Sequence, residues 1–242
     1  MARTLAIGDI HGGLRALQQV LDRAEVTAKD SLIFLGDYVD GWSDSAQLID
    51  FLIDLAAKQS CIFIKGNHDI WCEGWLEYGQ ASNVWLEHGG SSTAKSYRNY
   101  DWDIKSAHIS FFKKMKYFFV DIQNRLFIHA GFTSLFGPEQ EYDLSNCAWD
   151  RTLWETAMHL NKSIEPHSSL FPKRLKLFGE IFIGHTPTLN YNTDAPMNKH
   201  NVWNIDTGAA FHGRLSIMDV QTKAFWQSDI VQTLYPDERG RN

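Results

Sequence analysis

The sequence predicts an α/β protein in which two β-sheets pack against each other. Three observations lead there. Apolar runs at Thr4-Leu5-Ala6-Ile7, Ser31-Leu32-Ile33-Phe34-Leu35 and Cys61-Ile62-Phe63-Ile64 each end in a polar turn, and the first two then lead into helical periodicity, the signature of βα units. Short strand-like runs dominate the second half, which favours a second sheet lying on the first. The 242 residues are 44% hydrophobic and 21% charged, values of a chain able to bury a sizeable core. We read residues 1–242 as one domain, with a mostly helical cap-like insertion over 70–116 and a flexible tail over 236–242.

After the first strand, Gly8-Asp9-Ile10-His11-Gly12-Gly13 forms a turn, and Leu14, Leu17, Leu21 and Ala24 recur on one face of a helix. The second strand ends in Leu35-Gly36-Asp37-Tyr38-Val39-Asp40-Gly41-Trp42. Ser43 should then cap a helix whose inner face carries Ala46, Ile49, Leu52, Ile53 and Ala56. The third strand delivers Lys65-Gly66-Asn67-His68-Asp69. The tryptophans and tyrosines of the 70–116 insertion are expected mainly in packing, since large rings dominate core energetics. Tyr117–Val120 and Leu126–Ile128 read as a hairpin across Asp121–Arg125, ending in His129-Ala130-Gly131. Ile181-Phe182-Ile183 then delivers Gly184-His185-Thr186-Pro187, and the strand-rich end carries Asn204-Ile205-Asp206-Thr207-Gly208.

Composition excludes several classes. A formal net charge of −6 argues against affinity for nucleic-acid backbones. Cys61, Cys72 and Cys147 form no CxxC pair and are odd in number, as expected of reduced thiols. No basic and apolar leader precedes the first strand, and no apolar run approaches the ~20 residues needed to span a bilayer. A cytoplasmic location without membrane association is therefore expected; the sequence specifies no oligomeric state.

Five strand-end motifs rich in His, Asp and Asn can converge, because the C-terminal edge of parallel strands is where α/β proteins place ligands. Any one of them alone is what an ordinary turn would contain. Together they supply the parts of a two-metal hydrolytic centre: Asp9, His11 and Asp37 for one ion, and Asp37, Asn67, His129 and His185 for the other, with Asp37 bridging. Imidazole and carboxylate donors suit Mn, Fe or Zn better than Mg or Ca. A hydroxide between the ions would attack phosphorus in line. His68 would protonate the leaving oxygen, Asp40 would hold the His68 ring, and Arg151 would grip phosphate oxygens.

The order Gly-Asp-Ile-His-Gly, Gly-Asp-Tyr-Val-Asp, Gly-Asn-His-Asp, His-Ala-Gly and Gly-His-Thr resembles the calcineurin-like metallophosphoesterases, specifically their phosphoprotein phosphatase branch of bacterial serine/threonine type. Trp149-Asp150-Arg151 and Asn204–Gly208 add to the likeness, which extends from Arg3 to Asp219. The resemblance implies a four-layer αββα sandwich of two mixed sheets flanked by helices, two divalent ions that are most often manganese, and the same ligand and acid assignments. Two departures stand out. Asp69 replaces a usual Glu, and Gly41 replaces an Arg that binds phosphate in the family; Trp42, a bulky ring, follows it. Losing a guanidinium clamp should weaken transition-state binding by roughly 1.5–3 kcal/mol unless another cation compensates; Arg98, Lys173 and Arg174 are the candidates.

The leading expectation is thus a metal-dependent phosphatase acting on phosphoserine, phosphothreonine or phosphotyrosine of proteins. A dinucleoside polyphosphate or other small phosphoester is the alternative substrate. A non-catalytic scaffold is the alternative of another class, and the intact Asp40 and His68 speak against it. His88 and His212 could line a cleft but are expected at the surface.

Overall fold

The computed structural model describes residues 2–242. The first half of the chain builds β1 (Thr4–Ile7), β2 (Ser31–Phe34) and β3 (Ser60–Phe63), all parallel. The second builds β4 (Phe118–Val120), β5 (Arg125–Ile128), β6 (Glu180–Ile183), β7 (Met197–Lys199) and β8 (Val202–Asn204). The chain then returns to the first sheet as β9 (Ser216–Asp219) and β10 (Phe225–Gln227). Two mixed five-stranded sheets result, in the orders β10-β9-β1-β2-β3 and β4-β5-β6-β8-β7. The expected hairpin is β4–β5, antiparallel with Phe119 opposite Phe127.

Strand alternation shows why these sheets must stack. In β1, Leu5 and Ile7 join one apolar cluster with the helices α1 (Leu14–Arg23) and α2 (Ser45–Ala56), while Ala6 points the other way. In β2, Leu32 and Phe34 take the helix side and Ile33 and Leu35 the opposite one. The second sheet repeats the pattern, with Leu126, Ile128, Ile181 and Ile183 on its outer side and Phe127 and Phe182 inward. Both faces of every central strand are buried, so helices cover each sheet and the two inner faces meet: the four-layer sandwich expected from the sequence. Phe127 and Phe182 stack at 5.0 Å within that inner layer.

The 70–116 region is largely helical, with α3 (Asn67–Tyr78), α4 (Asn83–Trp85), α5 (Ser91–Ser96) and α6 (Trp102–Lys114). Trp85 and Tyr97 are buried and pack on Trp75 at 5.2 and 5.7 Å, as expected of cap aromatics. Trp102 instead stays 65% exposed. His108, which had no motif around it, ties this region to α2 through Tyr97 (2.8 Å) and Asp50 (2.9 Å).

One local expectation fails. Ser43 does not cap α2, whose N-cap residue is Asp44; its hydroxyl donates instead to Glu238 at 2.6 Å. The residues 236–242, expected to be loose, lie against the sandwich. Trp42 is fully buried, donates Nε1–H to the Ala209 carbonyl at 2.7 Å and stacks on Tyr235 at 5.3 Å, which gives this segment an apolar anchor. Among the described residues no helix is long and apolar enough to cross a membrane.

Truncating Phe127 removes a ring fully enclosed between the sheets and should cost about 3–5 kcal/mol. Urea unfolding of Phe127→Ala measures this; a loss under about 1 kcal/mol would show that the inner layer is not the shared core described here.

Candidate active site

The aligned register of the parallel strands carries six turns to one edge. Ile7 pairs with Phe34 and Phe34 with Phe63, so Asp9, Asp37 and Asn67 emerge side by side. In the second sheet, Phe127 pairs with Phe182 and Ile183 with Asn204, which brings His129, His185 and Asp206 to the facing edge. Cross-bonds knit the turns together. Ile10 and His11 donate their backbone N–H groups to the Asp37 carbonyl at 3.0 and 2.9 Å, and Gly184 donates to the His129 carbonyl at 2.8 Å. His68 N–H reaches Asp37 Oδ1 at 3.0 Å, and His185 N–H reaches Asp9 Oδ2 at 3.0 Å.

Two glycines make the close approach possible. A Cβ on Gly66 would lie 2.1 Å from Asp37 Oδ1, and one on Gly184 would lie 2.0 Å from Asp9 Oδ1, so no larger residue fits beside either carboxylate. His11, Asp37, Asp40 and His185 all adopt positive φ, between 52° and 69°. For residues with a Cβ this conformation costs on the order of 1–2 kcal/mol each, a strain concentrated at the site.

Asp69 offsets part of it. Its fully buried carboxylate accepts N–H bonds from Asp37 (2.8 Å), Tyr38 (2.9 Å) and Gly66 (2.8 Å), fastening two strand-end turns to the start of α3. Burial and the neighbouring Asp37 push its pKa up to about 8. The shorter Asp in place of Glu therefore reaches its three donors without difficulty.

All six residues expected to hold metal are buried and converge. His129 Nε2 lies 3.2 Å from Asn67 Oδ1, 3.4 Å from Asp37 Oδ2 and 3.2 Å from His185 Nδ1. His11 Nε2 lies 3.6 Å from Asp37 Oδ2 and 3.9 Å from Asp9 Oδ2. The two sets share Asp37, the residue expected to bridge. Second hydrogen bonds fix the rings: His129 Nδ1–H donates to the Leu35 carbonyl and His11 Nδ1–H to the Asp40 carbonyl, both at 2.8 Å. Each Nε2 is thereby left facing the shared carboxylate, where a metal would take its lone pair; burial opposes a charge on His129, but Asp37 and Asp9 outweigh it and raise its pKa to about 10.

Asp9 Oδ1 and His185 Nε2 are buried without a hydrogen-bond partner. Burial, reinforced by Asp206, raises the pKa of Asp9 well above the carboxylate range. For Asp37 burial opposes ionisation, but His129 and His68 outweigh it and hold the group well below that range. The donor set of imidazoles, carboxylates and one amide, with buried lone pairs left unmatched, fits divalent metal.

Beside this set, His68 Nδ1–H donates to Asp40 Oδ2 at 2.7 Å. The cap completes the arrangement in a way the sequence did not reveal: Trp85 Nε1–H also donates to Asp40 Oδ2, and Thr93 Oγ1–H to Oδ1, each at 2.7 Å. Nothing in the spacing of Trp85 or Thr93 marks them as partners of a residue some fifty positions earlier. Asp206 was likewise unassigned; it is buried, borders the cavity, and burial lifts its pKa to about 6.

The cavity over these groups measures about 460 Å³. Arg151 lines it, and among the described residues its guanidinium has no hydrogen-bond or ion-pair partner. His88 lines it too, on the cleft side of the two readings, whereas His212 does not. Trp42, which could have bordered it, is committed to packing. The three candidate compensating cations lie elsewhere. Arg174 bonds to the Phe132 carbonyl and Thr152, Lys173 sits 4.1 Å over the Phe136 ring, and Arg98 is exposed outside the cavity.

Gly41 has φ +143° and a Cβ there would meet the His11 carbonyl oxygen at 2.8 Å, so an arginine cannot be restored by substitution without strain.

Asp69→Asn turns one of three accepting contacts into a donor facing a donor and should cost about 2–3 kcal/mol; a urea midpoint unchanged from the parent would remove Asp69 from its fastening role. Removing divalent ions with a chelator should lower Tm by roughly 5–10 °C, and manganese should restore it, since binding at a hundredfold Kd contributes about 2.7 kcal/mol. A Tm indifferent to Mn, Fe and Zn would count against a metal centre.

Comparison with known proteins agrees with this geometry. Bis(5'-nucleosyl)-tetraphosphatase PrpE (asymmetrical) of Oceanobacillus iheyensis is 25% identical over 234 residues, covering 90% of this chain and 89% of the relative. A crystal structure provisionally described as a diadenosine tetraphosphatase superposes with TM-score 0.64 at 17% identity, over 93% of this chain and 92% of the other. The cold-active protein-tyrosine phosphatase of a psychrophilic Shewanella species gives 0.60 at 12% identity, over 95% and 81%. The model of the calcineurin-like phosphoesterases matches residues 2–198, from the first strand past the last histidine of the metal-type cluster. The chain therefore belongs to the calcineurin-like phosphoesterase family.

Proposed function

We propose that this phosphoesterase hydrolyses dinucleoside polyphosphates at a centre of two divalent ions, most often manganese, with His68 as general acid. The supporting observation is the wall of the cavity. Trp71 and Trp149 meet edge to face at 5.1 Å, Phe211 lines the cavity as well, and the unpaired Arg151 joins them. Flat aromatic surface beside a phosphate-binding cation suits a nucleobase, for which stacking contributes about 1–3 kcal/mol. The name carried by the curated relatives supports the same substrate class. A phosphorylated protein side chain, the substrate read first from the sequence, is the competing reading; the tyrosine phosphatase neighbour supports a common fold and no more.

Asp9, His11 and Asp37 would hold one ion and Asp37, Asn67, His129 and His185 the other. Such a pair supplies Lewis acidity at phosphoryl oxygens and an acidified water. The remaining steps fall to side chains of this chain. Arg151 can present a two-pronged donor to non-bridging oxygens. His68 holds a proton for the leaving oxygen, and the bond from its Nδ1–H to Asp40 sets the ring so that Nε2 is the donating atom. Trp85 and Thr93 supply the other hydrogen bonds to the Asp40 carboxylate.

Manganese-reconstituted protein should cleave diadenosine tetraphosphate more efficiently than a phosphopeptide, as followed by nucleotide chromatography and phosphate release. Preference for the phosphopeptide would reverse the substrate assignment, and inactivity on every phosphoester would favour a scaffold. His68→Asn should slow an alkyl phosphate about 10²- to 10⁴-fold but p-nitrophenyl phosphate far less, because a good leaving group needs no proton. An equal loss on both would take the acid role from His68.

A further inference from the structure

We infer that Arg241 is a second phosphate-gripping guanidinium of this site, brought into the cavity by the 235–242 segment. The inference rests on reading the cavity as a phosphoester site. Arg241 lines the same cavity as Arg151, His68, His185 and Asp206. Its Cγ lies 3.7 Å from where a Cβ on Gly41 would stand and 3.2 Å from the corresponding point on Gly89, so the stem threads between the turn after Asp40 and the cap. Side chains at both positions would crowd it; glycine at both leaves a channel.

The guanidinium is free for a ligand. Among the described residues it makes no ion pair and no side-chain hydrogen bond, although the chain carries a net negative charge and many carboxylates. Its carbon sits 5.3 Å from the centre of the Phe211 ring. An arginine held over an aromatic face keeps its N–H fork available at its edge, the geometry for bidentate contact with phosphate oxygens.

Hydrogen bonds and packing fix the segment in place. Arg241 N–H donates to the Ala210 carbonyl at 2.9 Å. Glu238 accepts from the Ser43 N–H at 2.9 Å and its hydroxyl at 2.6 Å, and Gln232 donates to the Glu238 carbonyl. Gly240 turns at φ +60° directly against Trp42, whose ring would lie 2.7 Å from a Cβ at that position. Trp42 in turn is fixed by Tyr235 and the Ala209 carbonyl. The residue following Gly41 thus anchors the segment that passes Arg241 beside Gly41.

The test compares parent, Arg241→Ala and Arg241→Lys proteins, each reconstituted with manganese, by kcat/KM on diadenosine tetraphosphate and p-nitrophenyl phosphate and by the inhibition constant of inorganic phosphate. Metal content and Tm are measured alongside. Arg241→Ala should lower kcat/KM about 10- to 100-fold and weaken phosphate inhibition about tenfold or more, with metal content and Tm unchanged. Arg241→Lys should recover only part, because an ammonium lacks the fork. Arg241→Ala within twofold of the parent in both readouts would overturn the inference while leaving the phosphoesterase reading in place. A parent protein that neither hydrolyses any phosphoester nor binds inorganic phosphate would overturn both.

Discussion

The three backbone N–H groups converging on the Asp69 carboxylate are the constraint on which the rest of the site depends. They join the turn after β2 to the turn after β3 and fix the first residues of α3. Asp37 can then hold its left-handed backbone and aim its side chain at His129 and His11. Burial without countercharge disfavours the ionised form of this carboxyl group, yet its oxygens are matched by donors that secondary structure leaves unsatisfied at a strand end and a helix start. The match fixes the spacing of Asp37 and Asn67 at the ends of neighbouring strands of one sheet.

Much of this was legible in the sequence because strands and their turns are local. Alternation in Leu5-Ala6-Ile7 and Leu32-Ile33-Phe34 encodes a two-sided burial that only stacked layers satisfy, and the motifs beginning at Gly8, Gly36, Gly66, His129 and Gly184 each follow such a run. What was not legible is contact at long range. Trp85 and Thr93 sit in helical turns of unremarkable sequence, and only the fold of the cap brings them to Asp40. Arg241 falls in a polar stretch whose composition reads as loose. The pairing of Tyr235 with Trp42, separated by most of the chain, gives it a place. Ser43 looked like a helix cap because a short hydroxyl before an amphipathic run usually is one; here Glu238 competes for it and wins.

The departures at Gly41 and Trp42 are best understood together. A glycine at φ +143° lets the turn after Asp40 hug the His11 carbonyl, and the indole beside it buries itself rather than entering the cavity. Each feature alone would look like a loss of function. In combination they open a channel and provide the surface that borders it, so the site's shape at this corner is set by residues nearly two hundred positions apart. The cavity remains faced by aromatic rings and arginine.

The hydrogen bonds from Trp85 and Thr93 to Asp40 divide the labour of the molecule. Every residue of the metal-type cluster comes from the strand ends or from the start of α3 against them. His68, the proposed acid, is by contrast oriented by a carboxylate whose own partners lie in the 70–116 region. A swing of the cap away from the sandwich would leave the electrophilic half of the site assembled and dismantle the acidic half. On the acid role proposed for His68, loss of these bonds would slow cleavage of alkyl esters more than of esters whose leaving groups depart unaided.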